Sequence, residues 1–543
     1  MKKHYYLYTL LLALLVGMAT ACEDRLNIEK HGNMGSVDDY YQTDEEAETA
    51  IAAMYLKWRT DVFVNWWYIK NFMSDDAWAG GGTRGDSSEA EQLNEFRYDT
   101  SNGYVSGLYS GLYTLIYYAN LIIEKVDGTT ETMQRAVAEA RVACAWAHGE
   151  LASLWGTAPI VDHLLGNDEY HQANGTAATT WAFVEEELLT AINSGALQSK
   201  TGVNDQSTGT RLTLEAAQAF LGKAYLMQSK YSEAAEMLDE VINSGLYDLY
   251  SDYDALFHTE GNNCCESIFE LQMLDDTEQA WSNYLQFNCN LAWRTDKLDM
   301  STEMQNTYAM GTYGFMNPRE SLYEAFLAVE GEDGYRLNNT IRTYDQMEEM
   351  GISVASGSNL IGHEGYFPWK TRLLKTDLSI DNTGWQVCTT INLRIMRYAE
   401  VLLMAAEAYF QSGNTSKALE YVNKIRERAQ IPTLTSITMD DIKTEKRLEL
   451  CYESCRYEDL IRWGDAETYL GEQGAEIPQF GYYAQTDEDG NTLTDDEGNT
   501  IYEVELRWPY TNSTYGFKSK HKLLPIPLTE IEVNPNMVQN EGW

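Results

Sequence analysis

The chain has 543 residues and carries 83 acidic against 39 basic side chains, a formal net charge of −44 at pH 7. This charge repels polyanions, so it excludes proteins whose surface binds nucleic acid or anionic lipid headgroups. The length exceeds what one hydrophobic core usually fills, which predicts two lobes or a helical array with a large insertion. With only 9 prolines, the chain can form long helices.

Residues 1–21 have the pattern of a secretion signal. Two lysines precede a short apolar run that ends in small residues and is followed directly by Cys22. The run is shorter than the roughly 20 apolar residues of a membrane-spanning helix. The pattern resembles the lipobox of bacterial lipoproteins, which implies lipidation of Cys22 and a polar tether at 22–36. The alternative is an ordinary signal peptide followed by a chance cysteine.

Residues 37–250 are predicted to be helical. Apolar side chains recur there at intervals of three and four, for example over 108–126 and 132–155. Leu-Gly-Lys-Ala-Tyr at 221–225 also matches the L-G-x-x-Y element of tetratricopeptide repeats.

A second copy of that repeat follows later in the chain. Aligning Ala224 with Ala408 also brings Ala234 onto Ala418, and both copies read as a helix, a polar turn and a second helix. Because alanines allow helices to approach closely, the repeat predicts a scaffold of packed helix pairs rather than a catalytic centre.

The rest of the chain divides into three regions. Residues 251–390 lose the helical rhythm and are rich in Tyr, Trp, Asn, Gly and Asp, which predicts irregular loops with short strands. Helices are predicted to resume over 391–470. Residues 471–543 are predicted to be a hairpin insert and a C-terminal tail, because two acidic turns follow each other at 486–492 and 494–500.

The sequence motifs of common enzymes and cofactor sites are either absent or lack the neighbouring residues that they require. The glycine segment 80–85 fits G-x-G-x-x-G, yet no apolar strand precedes it, which favours a loop before a helix capped by Asp86 or Ser87. The acidic turns do not place glycine sixth, as an EF-hand requires; solvated turns are favoured, and an irregular calcium site is the alternative. No zinc-protease, serine-hydrolase or Walker A motif occurs, so neither a cofactor nor an enzymatic activity is predicted.

Aromatic residues are abundant, with 37 Tyr and 14 Trp. Flat rings stack on the apolar faces of sugars, whose hydroxyl groups pair with Asp, Asn and Arg. The rings in poorly periodic stretches are Trp66, Trp67, Trp78, Trp281, Trp293, Tyr308 and Tyr313. Each of these taken singly is better explained as core or rim packing, but a few are expected to line a binding surface.

Several late motifs occur in a fixed order. They are Arg-Tyr-Ala-Glu-Val-Leu-Leu-Met-Ala-Ala-Glu-Ala-Tyr at 397–409, Glu-Lys-Arg-Leu-Glu-Leu at 445–450, Arg-Tyr-Glu-Asp-Leu-Ile-Arg-Trp-Gly at 456–464, Leu-Pro-Ile-Pro at 524–527 and Gln-Asn-Glu-Gly-Trp at 539–543. Together they resemble the SusD/RagB family of outer-membrane glycan-binding lipoproteins, and the resemblance covers nearly all of 37–543.

The resemblance implies a mainly α fold, with about four tetratricopeptide-like helix pairs packed against an irregular, loop-rich lobe with short strands. It also implies a lipoprotein on the outward face of the outer membrane, held there by its lipid anchor only. Such a protein captures an oligosaccharide or polysaccharide and closes as a lid over a TonB-dependent transporter. Glu23 and Asp24, directly after Cys22, are similar to the family's export signal.

Binding residues vary within this family, so the resemblance indicates regions rather than contacts. The loop 74–78 is similar in position to a loop that carries a stacking tryptophan in the starch-binding member, which makes Trp78 the first choice. The candidate glycan-binding residues are Trp78, Asp75, Asp76, Arg84, Trp293, Arg294, Tyr313 and Phe315. Tryptophan stacking and arginine pairing are the expected roles.

Two other functions stay open. A surface glycoside hydrolase would need a pair of carboxylates in a cleft, which cannot be recognised by sequence among 83 acidic residues. A peptide-binding or structural partner of the transporter would bind no sugar.

Overall fold

The structure is a computed structural model. The residues that it describes are 40–275, 286–379 and 388–543. The predicted signal segment 1–21, the lipidation site Cys22, the tether 22–36 and the candidate Trp281 lie outside the described residues. None of the helices in the described ranges combines the length and the apolar character needed to cross a bilayer.

Helices dominate the described chain. The longer ones are Asp44–Lys57, Phe63–Phe72, Gly103–Lys125, Glu131–Leu154, Ala177–Asn193, Leu214–Met227, Tyr231–Asn243, Glu320–Glu330, Tyr398–Gln411, Thr415–Arg428 and Met439–Leu450. The shorter ones are Ser88–Asn94, Gln286–Leu291, Thr302–Thr307, Tyr335–Asn338, Tyr344–Glu349, Arg456–Trp463, Ala466–Leu470 and Leu528–Val533. Side-chain caps fix several of these starts; the Thr130 hydroxyl, for example, accepts the N–H of Met133 at 3.1 Å.

Strands are short and antiparallel. They are β1 (Ala77–Ala79), β2 (Ser267–Leu271), β3 (Leu298–Met300), β4 (Met316–Pro318), β5 (Ile341–Thr343), β6 (Ile352–Val354), β7 (Asn359–Ile361), β8 (Tyr366–Pro368), β9 (Leu393–Arg397), β10 (Glu476–Ala484) and β11 (Tyr502–Thr511). β1 pairs with β4, β2 with β9, β3 with β6 and β5 with β8, while β11, β10 and β7 form a three-stranded sheet in that order. Tight turns at the tip of the β10–β11 hairpin contain the two acidic segments.

The predicted helix pairs are present. Leu214–Met227 packs on Tyr231–Asn243, and Tyr398–Gln411 packs on Thr415–Arg428. The two copies of the repeat also lie side by side. Tyr231–Asn243 packs on Tyr398–Gln411, although residues 244–397 separate these helices in the sequence. The aligned alanines, Ala224, Ala234, Ala408 and Ala418, are all buried. The mainly helical, tetratricopeptide-like fold is therefore confirmed.

Two regions differ from the sequence prediction. The second predicted helical region, 391–470, opens with strand β9 instead, because Leu393–Arg397 pairs antiparallel with β2. The loop-rich region contains the eleven-residue helix Glu320–Glu330 as well as short strands. The two largest cores of the described chain are one in the helical scaffold and a smaller aromatic one under the loop-rich lobe, which includes Trp293, Phe367 and Trp369.

Close packing in the scaffold gives a test of the fold. A Cβ atom at Gly111 would lie 2.2 Å from the carbonyl oxygen of Asp61 in the π-helical turn Trp58–Val62. We expect Gly111→Ala to lower the free energy of unfolding by about 2 kcal/mol, because the backbone must shift. The helix propensity of alanine, about 1 kcal/mol better than that of glycine, opposes this loss and does not offset it. Urea denaturation measures the difference.

Gly149→Ala is the matched control. Its added Cβ would meet Trp181 at an ordinary contact distance of 3.5 Å, within the C-terminal part of the helix Glu131–Leu154. This variant should be neutral or more stable by up to about 1 kcal/mol. A Gly111→Ala protein as stable as Gly149→Ala would refute the close approach.

Candidate functional site

The loop 74–78, in which the sugar site is predicted, continues into strand β1. This strand pairs antiparallel with β4, and Trp78 lies opposite Asn317. Asn94 holds the strand in place: its amide nitrogen donates to two backbone carbonyls at 2.8 and 2.9 Å, and its amide oxygen accepts the N–H of Ala79 at 3.2 Å. The glycine segment then leaves the strand towards the surface.

The glycine segment encloses an arginine. A Cβ atom at Gly82 would lie 2.7–3.1 Å from the Arg294 guanidinium, and one at Gly81 would lie 2.7 Å from the Phe315 ring. Glycine allows this close approach of side chains, and Gly81 also adopts a positive φ of 126° that favours glycine. Arg294 Nη1 lies 3.2 Å from the Asp86 carboxylate and donates to the Tyr313 carbonyl at 3.2 Å.

These residues form one exposed surface. The rings of Tyr313 and Phe315 are half-buried, with centroids 6.3 Å apart, and the Arg294 side chain is 17 % exposed. We call residues 80–86, Arg294, Tyr313 and Phe315 the glycine-loop surface. It offers a charged hydrogen-bond donor and two aromatic rings, groups that can bind hydroxyl groups and stack on a flat ring.

The Arg84 side chain of this surface is held in ion pairs. Its guanidinium contacts Glu91 at 2.9 Å and Glu95 at 2.5 Å, while Glu91 also accepts the N–H of Gly85 at 2.7 Å. The helix Ser88–Asn94 does begin after Ser87, but the predicted side-chain cap is wrong. The Ser87 hydroxyl makes no cap, and the Asp86 carboxylate accepts the N–H of Gly82 at 2.7 Å.

Trp78 lies beneath the surface. Its ring is 2 % exposed, and the Arg319 guanidinium covers it at 3.9 Å from the ring centroid. Ile361 and Ile477 pack against it from the neighbouring strands. In this structure the ring leaves no open face for a sugar.

Asp75 and Asp76 are also buried, in ion pairs with the helical scaffold. Arg456 binds Asp75 through two bonds of 2.7 and 2.9 Å, and Arg447 contacts Asp75 at 3.0 Å and Asp76 at 2.8 Å. Burial alone would raise the pKa of Asp75, but the two guanidinium groups hold it well below its usual range. These carboxylates join the loop to the scaffold.

The other aromatic candidates are core residues. Trp293 donates its indole N–H to the Pro368 carbonyl at 3.0 Å and packs against Tyr308 and Trp369. Trp66 and Trp67 are buried in the scaffold core. The structure thus brings Arg294, Tyr313 and Phe315 together and separates them from Trp293.

Sequence reasoning missed two residues beside Trp78. Trp508 on β11 is 40 % exposed, and its ring lies 6.2 Å from that of Trp78. Arg319, which covers Trp78, is the residue directly after β4. A signal existed for the first: Pro509, directly after Trp508, is tolerated only at the edge of a sheet.

The acidic turns use their carboxylates internally. Asp487 accepts the backbone N–H groups of Asp489 and Asn491, and Asp495 those of Glu497 and Asn499. Within 40–275, 286–379 and 388–543, no group of three or more His, Cys, Asp or Glu side chains is arranged to hold a metal ion.

Comparisons with known proteins agree with this architecture. Residues 363–543 match the family model described as SusD family, and residues 39–226 match one described as starch-binding associating with outer membrane. A SusD-like protein of Bacteroides ovatus is 25 % identical over 97 % of this chain and 96 % of its own length. The starch-binding protein SusD of Bacteroides thetaiotaomicron is 22 % identical, covering 84 % of this chain and 82 % of that protein.

Solved structures show the same fold. A laminarin-binding SusD-like protein superposes with a TM-score of 0.75 and 25 % identity, covering 93 % of this chain and 100 % of the other. Surface glycan-binding protein A from Bacteroides thetaiotaomicron, in complex with laminarihexaose, gives a TM-score of 0.70 with 22 % identity over 92 % of this chain and 100 % of the other. By its sequence motifs and by its fold, the chain belongs to the SusD-like family.

Proposed function

We propose that this protein is a non-catalytic, cell-surface lipoprotein that captures oligosaccharides at the glycine-loop surface. It then delivers them to a TonB-dependent transporter, over which it closes as a lid. The observation that carries the capture step is the Arg294 guanidinium, which lies against Gly82 and beside Asp86 in the same surface as the half-buried rings of Tyr313 and Phe315. Rings that stack and a fixed donor fork are what a sugar requires.

The comparisons support the ligand class. A relative that superposes well binds laminarin, and the family model for the N-terminal half is described as starch-binding. Both ligands are neutral glucans, which also suits a chain with a net charge of −44. We therefore favour neutral glycans over anionic ones.

The buried candidates have a supporting role in this proposal. Asp75 and Asp76 hold the loop on the scaffold, Trp78 fills the space beneath it, and Trp293 supports the turn that carries Arg294. A ligand on the glycine-loop surface would touch Arg294, Tyr313 and Phe315 first.

Membrane attachment and delivery rest on the sequence and the family. Cys22 would carry the lipid, and the acidic pair Glu23 and Asp24 would direct the protein to the outward face. The tether 22–36 would leave the lid room to open and close.

Removing the guanidinium should weaken capture directly. We expect Arg294→Ala to lower the affinity for laminarihexaose or maltohexaose, whichever the wild type prefers, by about tenfold or more, because charged hydrogen bonds contribute roughly 1.5–3 kcal/mol. Isothermal titration calorimetry on the soluble chain without residues 1–36 measures the change. Lys424→Ala is the control, since it removes an equally positive, exposed side chain from the helical scaffold.

Three outcomes would contradict the proposal. Unchanged affinity in Arg294→Ala would remove the glycine-loop surface from the site. The absence of binding across a broad glycan panel would favour a peptide-binding or structural partner of the transporter. Release of shorter sugars during incubation would identify a glycoside hydrolase instead.

A further inference from the structure

Trp508 is unusual among the tryptophans of this protein. Within the described ranges it is the sole tryptophan with more than a third of its surface exposed, at 40 %. An exposed indole offers a flat apolar surface on which a ligand ring can stack. Its place on β11 lies outside the loops in which aromatic binding residues were predicted.

A β-bulge directs this side chain. In the β10–β11 ladder Ile477 lies opposite Tyr510 and Gln479 opposite Arg507, so that Trp508 and Pro509 together face one residue of β10. Bulges of this kind redirect a side chain and are frequent beside binding sites. Here the bulge brings the Trp508 ring against Trp78.

The Trp508 ring packs against a buried ring. It meets the buried Trp78 ring edge-on, with an interplanar angle of 67° and a centroid distance of 6.2 Å. Trp78 is in turn clamped by Arg319 and by Ile361 and Ile477. A ring that is fixed before binding loses little conformational entropy when a ligand stacks on it.

A donor lies next to the two rings. Arg319 Nη1 is buried and has no hydrogen-bond partner in the described chain, although its guanidinium lies on the Trp78 ring. Glu364, Asp75 and Asp76 are the carboxylates whose charge acts on this arginine. Together with Arg319, Arg447 and Arg456 their formal charges cancel, so the patch favours neutral hydroxyl groups over an ionic ligand.

This patch is next to the glycine-loop surface. Trp78 and Gly82 are four residues apart, so their Cα atoms are separated by at most about 14 Å. We propose that Trp508 is a second stacking platform, supplied by the hairpin, on which a pyranose ring of a neutral oligosaccharide rests while another part of the same chain occupies the glycine-loop surface. This inference rests on the proposed function and adds the residue that makes binding depend on oligosaccharide length.

Binding of a short and a long ligand tests the platform. With laminaritriose and laminarihexaose, or the matching malto-oligosaccharides, the wild type should bind the hexasaccharide more tightly. Trp508→Ala should lower the hexasaccharide affinity by about tenfold and abolish that preference, whereas Trp508→Phe should stay within about threefold of the wild type. Tyr502→Ala, which removes a ring that is 51 % exposed near the tip of the same hairpin, should change nothing.

The outcomes separate the two proposals. If the wild type binds no oligosaccharide, the proposed function fails. If the wild type binds but Trp508→Ala keeps its length preference and affinity, Trp508 is not a platform and the proposed function stands. Trp508→Phe guards against a folding defect, because its ring still covers Trp78.

Discussion

Replacing Arg336 by methionine is expected to lower the free energy of unfolding by about 3–5 kcal/mol. The guanidinium is fully buried and contacts Glu330 at 2.8 Å, Glu445 at 2.7 Å and Glu449 at 3.0 Å. Burial alone would lower the pKa of Arg336, but these carboxylates raise it well above its ordinary value. Without the cation, buried negative charge is left uncompensated. Urea denaturation followed by circular dichroism measures the loss.

Two further variants make the test specific. Glu330 is affected most, because the other two carboxylates keep additional arginine partners. Adding Glu330→Gln to Arg336→Met should therefore recover part of the stability. Arg507→Ala is the matched control, since its ion pair with Glu505 is exposed and such pairs contribute at most about 1 kcal/mol. Equal losses in Arg336→Met and Arg507→Ala would show that the buried pairs do not hold the fold.

The place of Arg336 in the fold explains why so much depends on it. Its helix, Tyr335–Asn338, belongs to the loop-rich lobe, whereas Glu445 and Glu449 lie on the scaffold helix Met439–Leu450. The lobe that presents the glycine-loop surface is therefore attached to the scaffold by interior ion pairs as well as by apolar packing.

The scaffold could be predicted from the sequence because its signal is local. Apolar side chains at helical spacing, and alanines at the same positions of two copies, report directly on which faces are buried. β9 was missed because its five residues are too few to separate from the helix that follows, Tyr398–Gln411, and because its partner β2 lies more than 100 residues earlier.

The site could be predicted only in part, because exposure depends on distant residues. Trp78 is covered by Arg319 and by Ile477, and the sequence near residue 78 does not indicate this burial. Trp508 is the reverse case: it belongs to a strand, yet a bulge leaves it in water. Arg294 was predicted because the pair Trp293 and Arg294 lies in a region whose placement resembles a binding region of the family. Nothing near Arg294 in the sequence indicates the glycine segment 80–85 that lies against it.

The charged residues of the family motifs explain why the resemblance predicts the fold better than the ligand. Arg447 and Arg456 would be assigned to solvated helix faces by their residue type, but both are drawn inside to pair with Asp75. The arginines of these family motifs therefore attach the loop 74–78 to the helical scaffold. The residues proposed to contact the glycan, Arg294, Tyr313 and Phe315, lie outside these motifs.

A substitution at Asp75 tests whether this residue supports the loop or contacts the sugar. We expect Asp75→Asn to lower the free energy of unfolding by about 3 kcal/mol, because the buried Arg456 loses the carboxylate that binds it and Arg447 keeps only that of Asp76. The affinity of the folded protein for its oligosaccharide should change by less than about twofold, since the carboxylate lies beneath the surface. Denaturation and calorimetry below the unfolding transition measure the two effects separately.

Asp86→Asn should give the opposite pattern, and the pair of variants decides the role of each carboxylate. Asp86 is exposed and holds Arg294 at 3.2 Å, so its loss should cost at most about 1 kcal/mol of stability and yet weaken binding severalfold. If Asp75→Asn lost affinity at unchanged stability, Asp75 would have to contact the sugar directly. That would require the loop to open and release Arg447 and Arg456 on binding, which the buried ion pairs oppose.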